Sequence, residues 1–219
     1  MARREPRPAR AFRRQAPAKA QYPVALIVCE GEKTEPEYLK ALRKACDLNP
    51  ANVKIVSADG NDPVSIVREA IETYHSNFNE FDKVFCVFDR DGHVNYQQAL
   101  DRVANSPLGR RGILTAITSV PCFEIWILLH YAYSSAPVTA SGGRSACDNV
   151  VAAIHRHLPE YEKAFGDAFE KLAPMLDTAI THADRLAVHN RDTGSDNPAT
   201  KVHELVKYLR SLKREEGEN

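Results

Sequence analysis

Residues 24–29 read VALIVC, six apolar side chains in a row that stop abruptly at Glu30. A run this short and this uniformly apolar is too short for a helix and suits a strand buried on both faces, as in parallel sheets. After it, Thr34 and Glu37 have the spacing of a capping box, and Tyr38, Leu39, Leu42 and Cys46 recur at helical spacing, which predicts a helix from about Glu35. The unit is a strand, an acidic turn and a helix.

The same unit recurs along the chain. NVKIVS (52–57) predicts a second strand, followed by a turn through Gly60–Pro63 and a helix over 64–75 with Val64, Val67 and Ile71 on one face. KVFCVF (83–88) predicts a third strand, 96–104 a polar helix, and GILTAIT (112–118) a fourth strand. Four strands alternating with helices predict an α/β fold, a parallel sheet with helices on both faces. Such sheets bind ligands beyond the carboxyl ends of their strands, where Glu30 and Asp89 fall.

Past Thr118 the pattern turns helical. FEIWILLHYAY, after Pro121, is apolar nearly all round and predicts a buried helix. SSAPVTASGG (134–143) reads as a loop, and 146–157, 160–189 and 200–213 as helices. The expected organisation is a basic arm over 1–20, an α/β domain over 21–135 and a helical extension packed on it over 136–219. No internal repeat stands out, and no apolar run approaches the roughly 20 residues of a membrane span.

Formal net charge is zero, with 29 basic and 29 acidic residues. Seven of the bases but only Glu5 of the acids lie in residues 1–20, so the remainder carries six more acids than bases. The arm reads either as a solvated, disordered leader or as a polyanion-binding segment; it lacks the apolar core of a secretory signal. The five cysteines (Cys29, Cys46, Cys86, Cys122 and Cys147) form no C-x-x-C and sit mostly in apolar runs, so they are expected to be reduced core residues of a cytoplasmic protein.

Three acidic spots carry the chemistry. Asp89 and Asp91, in FDRDG, share one side of an extended chain and could bridge a metal ion or simply fix the turn at Gly92. Glu30 could ligate a metal or be stabilised by the start of the next helix; Gly31 lets backbone, phosphate or ion come close. Glu35 is a candidate further acid, and Lys33 could meet a phosphate or remain solvated. Glu124, the one acid in an apolar helix, needs a partner or the helix dipole. Carboxylates gathered without cations raise one another's pKa, so a fold that collects several is expected to collect them around Mg2+. His130 reads as a hydrogen-bonded core histidine, Asp192–Gly194 as a polar loop, and His155 and His157 as surface residues.

CEGEKTEPEYL, VFDRDG, PCFEIWILLHY and NPATKVHELV, in that order, resemble the RloB-like proteins, over roughly residues 22–210. That family's catalytic region is similar to the Toprim domain of topoisomerases, primases and OLD-type nucleases. The resemblance implies a Toprim-like (Rossmann-like) sheet and a nuclease dependent on Mg2+ or Mn2+. It implies that Glu30 acts as general acid or base and metal ligand, that Asp89 and Asp91 hold the metal, and that Glu35 matches a further acid, one residue later than the usual spacing. Glu124 lies in the most family-typical stretch, without an assigned role. The resemblance also implies anti-phage defence of the abortive-infection type, with DNA or RNA as substrate and often an ATPase partner. Two rivals stand beside it. One is a haloacid-dehalogenase-like phosphatase using Asp89 and Asp91, although FDRDG would then be expected on the first strand and His93 stands in place of Thr or Ser. The other is a nucleic-acid-binding subunit without turnover.

Overall fold

The computed structural model describes residues 23–60, 62–77, 80–90, 92–163 and 168–217. The expected basic arm and Asp91 lie outside the described residues. Five strands form one sheet in the order β2-β1-β3-β4-β5. β1 (Ala25–Cys29), β2 (Val53–Ser57), β3 (Lys83–Asp89) and β4 (Leu114–Val120) run parallel; β5 (Ala199–Thr200) is antiparallel to β4. The fold is a Rossmann-like α/β sheet, with one short strand more than the expected four. That strand sits in NPATK, too short for a two-residue period to register.

The apolar run of β1 is explained by where its side chains go. Ala25, Ile27 and Cys29 enter one core, Leu26 and Val28 the other, so alternate residues serve opposite faces. The first face is covered by α1 (Thr34–Ala45), whose Tyr38, Leu39 and Leu42 supply its apolar stripe, and by the C-terminal helices. The second is covered by α2 (Pro63–Ser76), α3 (Tyr96–Asn105) and the one-turn α4 (Pro107–Arg110). Each fully buried Leu or Ile, such as Ile27 and Leu39, contributes about 1.5–3 kcal/mol.

α5 (Glu124–Leu129) is the expected buried helix: only Leu128 has more than slight exposure. α6 (Ala146–Ile154) and α8 (Leu176–Thr193) pack against it; α7 (Ala168–Leu172), followed by the 3-10 turn Ala173–Met175, packs against α1, and α9 (Val202–Gly217) against β4 and α8. Their apolar residues Val150, Phe169, Leu186 and Leu209 join the core that contains Ile27 and Leu39.

Some local expectations are corrected. The capping box belongs to α6, where Ser145 and Asp148 cap each other reciprocally; α1 has Lys33 as its N-cap and no side-chain cap hydrogen bond from it. The expected helix over 160–189 is interrupted by the Ala173–Met175 turn, which separates α7 from α8; residues 164–167 lie outside the described residues. Asp192 and Thr193 end α8, and Gly194 closes it in the left-handed conformation at φ 71°. Cys122 and Cys147, expected reduced, are paired as a disulfide with Cα atoms 5.8 Å apart, because α5 and α6 bring two distant segments together. Cys29, Cys46 and Cys86 are buried and form no disulfide among the described residues. No helix among the described residues is long and apolar enough to cross a membrane.

Candidate active site

In the order β2-β1-β3-β4-β5 the chain winds outward from β1 in one direction and from β3 in the other, so the crevice at the carboxyl ends of β1 and β3 is the switch point where open α/β sheets bind ligands. Glu30 leaves β1 there. Its N–H donates to the Val87 carbonyl at 3.0 Å, extending the ladder by one rung. Its Oε2 accepts from the Asp89 N–H at 2.9 Å, and its Oε1 lies 2.7 Å from His93 Nε2. Glu30 is thereby fastened to the end of β3.

Asp89 ends β3, and its Oδ2 accepts from the Phe123 N–H at 2.8 Å. Burial pushes its carboxyl well above the ordinary range; the charges of Glu35, Glu124 and Glu30 push the same way, and the Phe123 N–H opposes them. A strand-end aspartate is half-buried here because α5 folds back over it.

Glu35, in the first turn of α1, bends back over the turn after β1. A Cβ on Gly31 would lie 2.6 Å from Glu35 Oε2, so the missing side chain of Gly31 is what admits that carboxyl. Its pKa is raised to about 7, first by burial and then by Glu124 and Glu30; its own backbone N–H and Lys163 oppose the rise. Glu124 is 3% exposed. Its Oε2 lies 3.4 Å from Cys147 Sγ and its Oε1 3.6 Å from Lys163 Nζ. Tyr161 is buried beside the same acids: burial, then Glu124 and Glu35, push its phenol up.

The structure therefore brings Glu30, Glu35, Asp89 and Glu124 into mutual electrostatic range. Lys33 stays exposed at the start of α1, and the lysine that reaches the carboxylates is Lys163. Sequence reasoning missed Lys163, Tyr161 and His93. The first two lie in a stretch without motif or periodicity. His93 follows FDRDG directly and could have been noticed as a partner for a strand-end acid. His130 is the expected core histidine, its Nδ1 2.9 Å from the Trp126 carbonyl.

Hard oxygen donors whose carboxyls are pushed up first by burial and then by one another's charge suit a small divalent cation such as Mg2+. Asp89, Glu35 and Glu124 would hold it. Among the described residues, however, the group of three whose ligand atoms all lie within 4.8 Å of one another is Cys122, Glu124 and Cys147.

An open, mostly parallel α/β sheet with carboxylates at its switch point defines the class: a Rossmann-like α/β protein. Residues 25–209 match the family model described as RloB-like protein, and the chain belongs to the RloB-like family. Neither the curated proteins nor the solved structures contain a match to it.

Proposed function

We propose that this chain is a metal-dependent nuclease of the RloB-like family, hydrolysing nucleic-acid phosphodiesters with Mg2+ or Mn2+ in bacterial anti-phage defence. The observation that carries this reading is the crowding of Glu30, Glu35, Asp89 and Glu124 beyond the strand ends, where Asp89 and Glu35 hold protons well above the ordinary carboxylate range. A site so short of positive charge is suited to binding cations rather than to structural ion pairing.

The bound ion would supply the positive charge that neutralises the phosphodiester and acidifies a water molecule. Asp89, Glu35 and Glu124 present the oxygens that hold it, with Asp91 the expected fourth acid. Glu30, held by the Asp89 N–H, would accept the proton of the attacking water, with the His93 imidazole 2.7 Å from Oε1 orienting its carboxylate. Lys163 Nζ, with a side chain 55% exposed, can leave Glu124 for a phosphate oxygen. Because residues beyond 20 carry excess acid, attraction for nucleic acid must come from the metal, from Lys163, from the basic arm or from an associated ATPase subunit.

The test is incubation of the purified chain with circular DNA, single-stranded DNA and tRNA in Mg2+, Mn2+ or EDTA. Cleavage that requires metal and disappears in Asp89→Ala is expected. A gel shift without cleavage, unchanged in Asp89→Ala, would replace this reading with a nucleic-acid-binding subunit; turnover of p-nitrophenyl phosphate in place of nucleic acid would replace it with a phosphatase.

A further inference from the structure

Glu124 presents a puzzle that the acidic centre does not resolve. It is a carboxylate 3% exposed, and its nearest described partners are Cys147 Sγ at 3.4 Å from Oε2 and the Lys163 ammonium at 3.6 Å from Oε1. A disulfide sulfur carries no hydrogen to donate, which leaves the Lys163 ammonium, 3.6 Å away, as the counter-charge of this buried carboxyl among the described residues. The same atoms make chemical sense once the sulfurs are thiolates sharing a cation with the carboxylate.

The supporting geometry is independent of that argument. Cys122 Sγ, Cys147 Sγ and a Glu124 oxygen all lie within 4.8 Å of one another, each on a buried residue. Cys122 and Glu124 sit two residues apart at the start of α5, while Cys147 arrives from α6, so three ligands come from two rigid elements. Two bonds of about 2.3 Å to a tetrahedral ion would separate the sulfurs by ~3.8 Å, a distance that side-chain rotation can supply. Two thiolates and one carboxylate are a donor set for a borderline-soft ion and not for Mg2+.

We propose that reduced Cys122 and Cys147, with Glu124, form a zinc site that leaves a fourth position open, and that the disulfide is its oxidised, metal-free state. A dithiol reductant gives two electrons and two protons to the disulfide, is itself oxidised to a disulfide, and leaves two thiols. Zinc binding then displaces two protons. Lys163, touching both Cys147 Sγ (3.4 Å) and Glu124, swings into solvent as the doubly charged ion replaces its ammonium. Glu124 then belongs to zinc instead of the neighbouring carboxylates, so the thiol state decides which metal it serves. This inference stands without the nuclease reading.

The experiment uses the full chain, reduced and kept anaerobic, titrated with Co2+ as a spectroscopic substitute for Zn2+. Expected are thiolate-to-cobalt charge-transfer absorption saturating at one equivalent, intense visible bands of a tetrahedral ion, and displacement of both by Zn2+. Cys122→Ser and Cys147→Ser, shown to be folded by circular dichroism, should lose the charge-transfer band. Asp89→Asn should keep it, which separates this site from the carboxylate centre. Wild type oxidised to the disulfide should show none. Thiol titration under denaturing conditions should give five thiols in the reduced chain and three in the oxidised one. A count that stays at three after reduction, a reduced folded chain without the band, or a band that survives in Cys147→Ser would overturn the proposal.

Discussion

Glu30 Oε2 accepts the backbone N–H of Asp89 across the carboxyl ends of β1 and β3, at 2.9 Å. Residues 59 positions apart in the chain are thus locked at the one crevice where the sheet's winding reverses. The bond fixes Glu30 relative to the backbone that carries Asp89 and leaves the Asp89 side chain to the Phe123 N–H. The repulsion among the four acids is built into the fold and must be relieved by protons or by a cation.

Burial of a charge at Asp89, and after it that repulsion, makes Asp89→Asn stabilising in the absence of metal. In EDTA at pH 8 its Tm should exceed that of wild type by about 2–4 °C, the shift that roughly 1 kcal/mol makes in a chain of this size. With saturating Mg2+ wild type should gain stability and the variant should gain little. Differential scanning calorimetry of both proteins with and without metal checks this.

The protonation of Glu35 sets the pH dependence. Its folded pKa, about 7, lies above the ordinary 4.5, so between these values the folded chain holds a proton that the unfolded chain has released. Without metal, this group's contribution to stability is fully present below pH 4.5 and is lost as pH rises through about 7. A cation must displace the proton, so apparent Mg2+ affinity should increase from pH 6 to 8 and then level off. In Glu35→Gln the increase should flatten; in Lys163→Ala its midpoint should move up, because Lys163 holds the Glu35 pKa down. Isothermal titration across pH measures both.

Gly31→Ala probes the close approach of Glu35. The added methyl would meet Oε2 at 2.6 Å, and because a side-chain end can move aside, stability should hardly change. Metal affinity should fall ~10-fold, as when an orienting contact of a ligand is lost. A variant that binds metal like wild type would show that the position of Glu35 is immaterial.

His93→Ala separates binding from chemistry. With its imidazole 2.7 Å from Glu30 Oε1, its removal should lower kcat at least ~10-fold, the scale for the loss of a contact that orients a reacting carboxylate. Metal affinity should remain within about a factor of two, since nothing that orients Asp89 or Glu124 has changed. Single-turnover cleavage together with metal titration distinguishes the two effects.

Much of this was legible in the residues alone. VALIVC and KVFCVF announce buried strands because both faces of the sheet are covered, and their ends announce Glu30 and Asp89. FEIWILLH announces α5 because a helix enclosed on all sides has no polar face. What stayed hidden depends on long-range packing. The pairing of Cys122 with Cys147 depends on α6 folding beside α5, and the reach of Lys163 depends on chain that carries no pattern of its own. The aromatic cluster of Tyr38 with Phe123, Trp126 and Phe169 likewise joins three segments through edge contacts that no spacing encodes. Thr34 and Glu37 have the spacing of a capping box, but α1 takes Lys33 as its N-cap, so Thr34 lies one residue inside the helix.

The central claim is that Glu35, Asp89 and Glu124 form one cation site, with Glu30 beside it. Mn2+ binding followed by electron paramagnetic resonance tests it most directly, using the oxidised chain so that Cys122 and Cys147 cannot contribute. Wild type should bind Mn2+ competitively with Mg2+, and Glu35→Gln and Asp89→Asn should each weaken binding at least ~10-fold, as the loss of a ligand oxygen requires. Wild type that binds no Mn2+, or variants that bind as tightly as wild type, would contradict it.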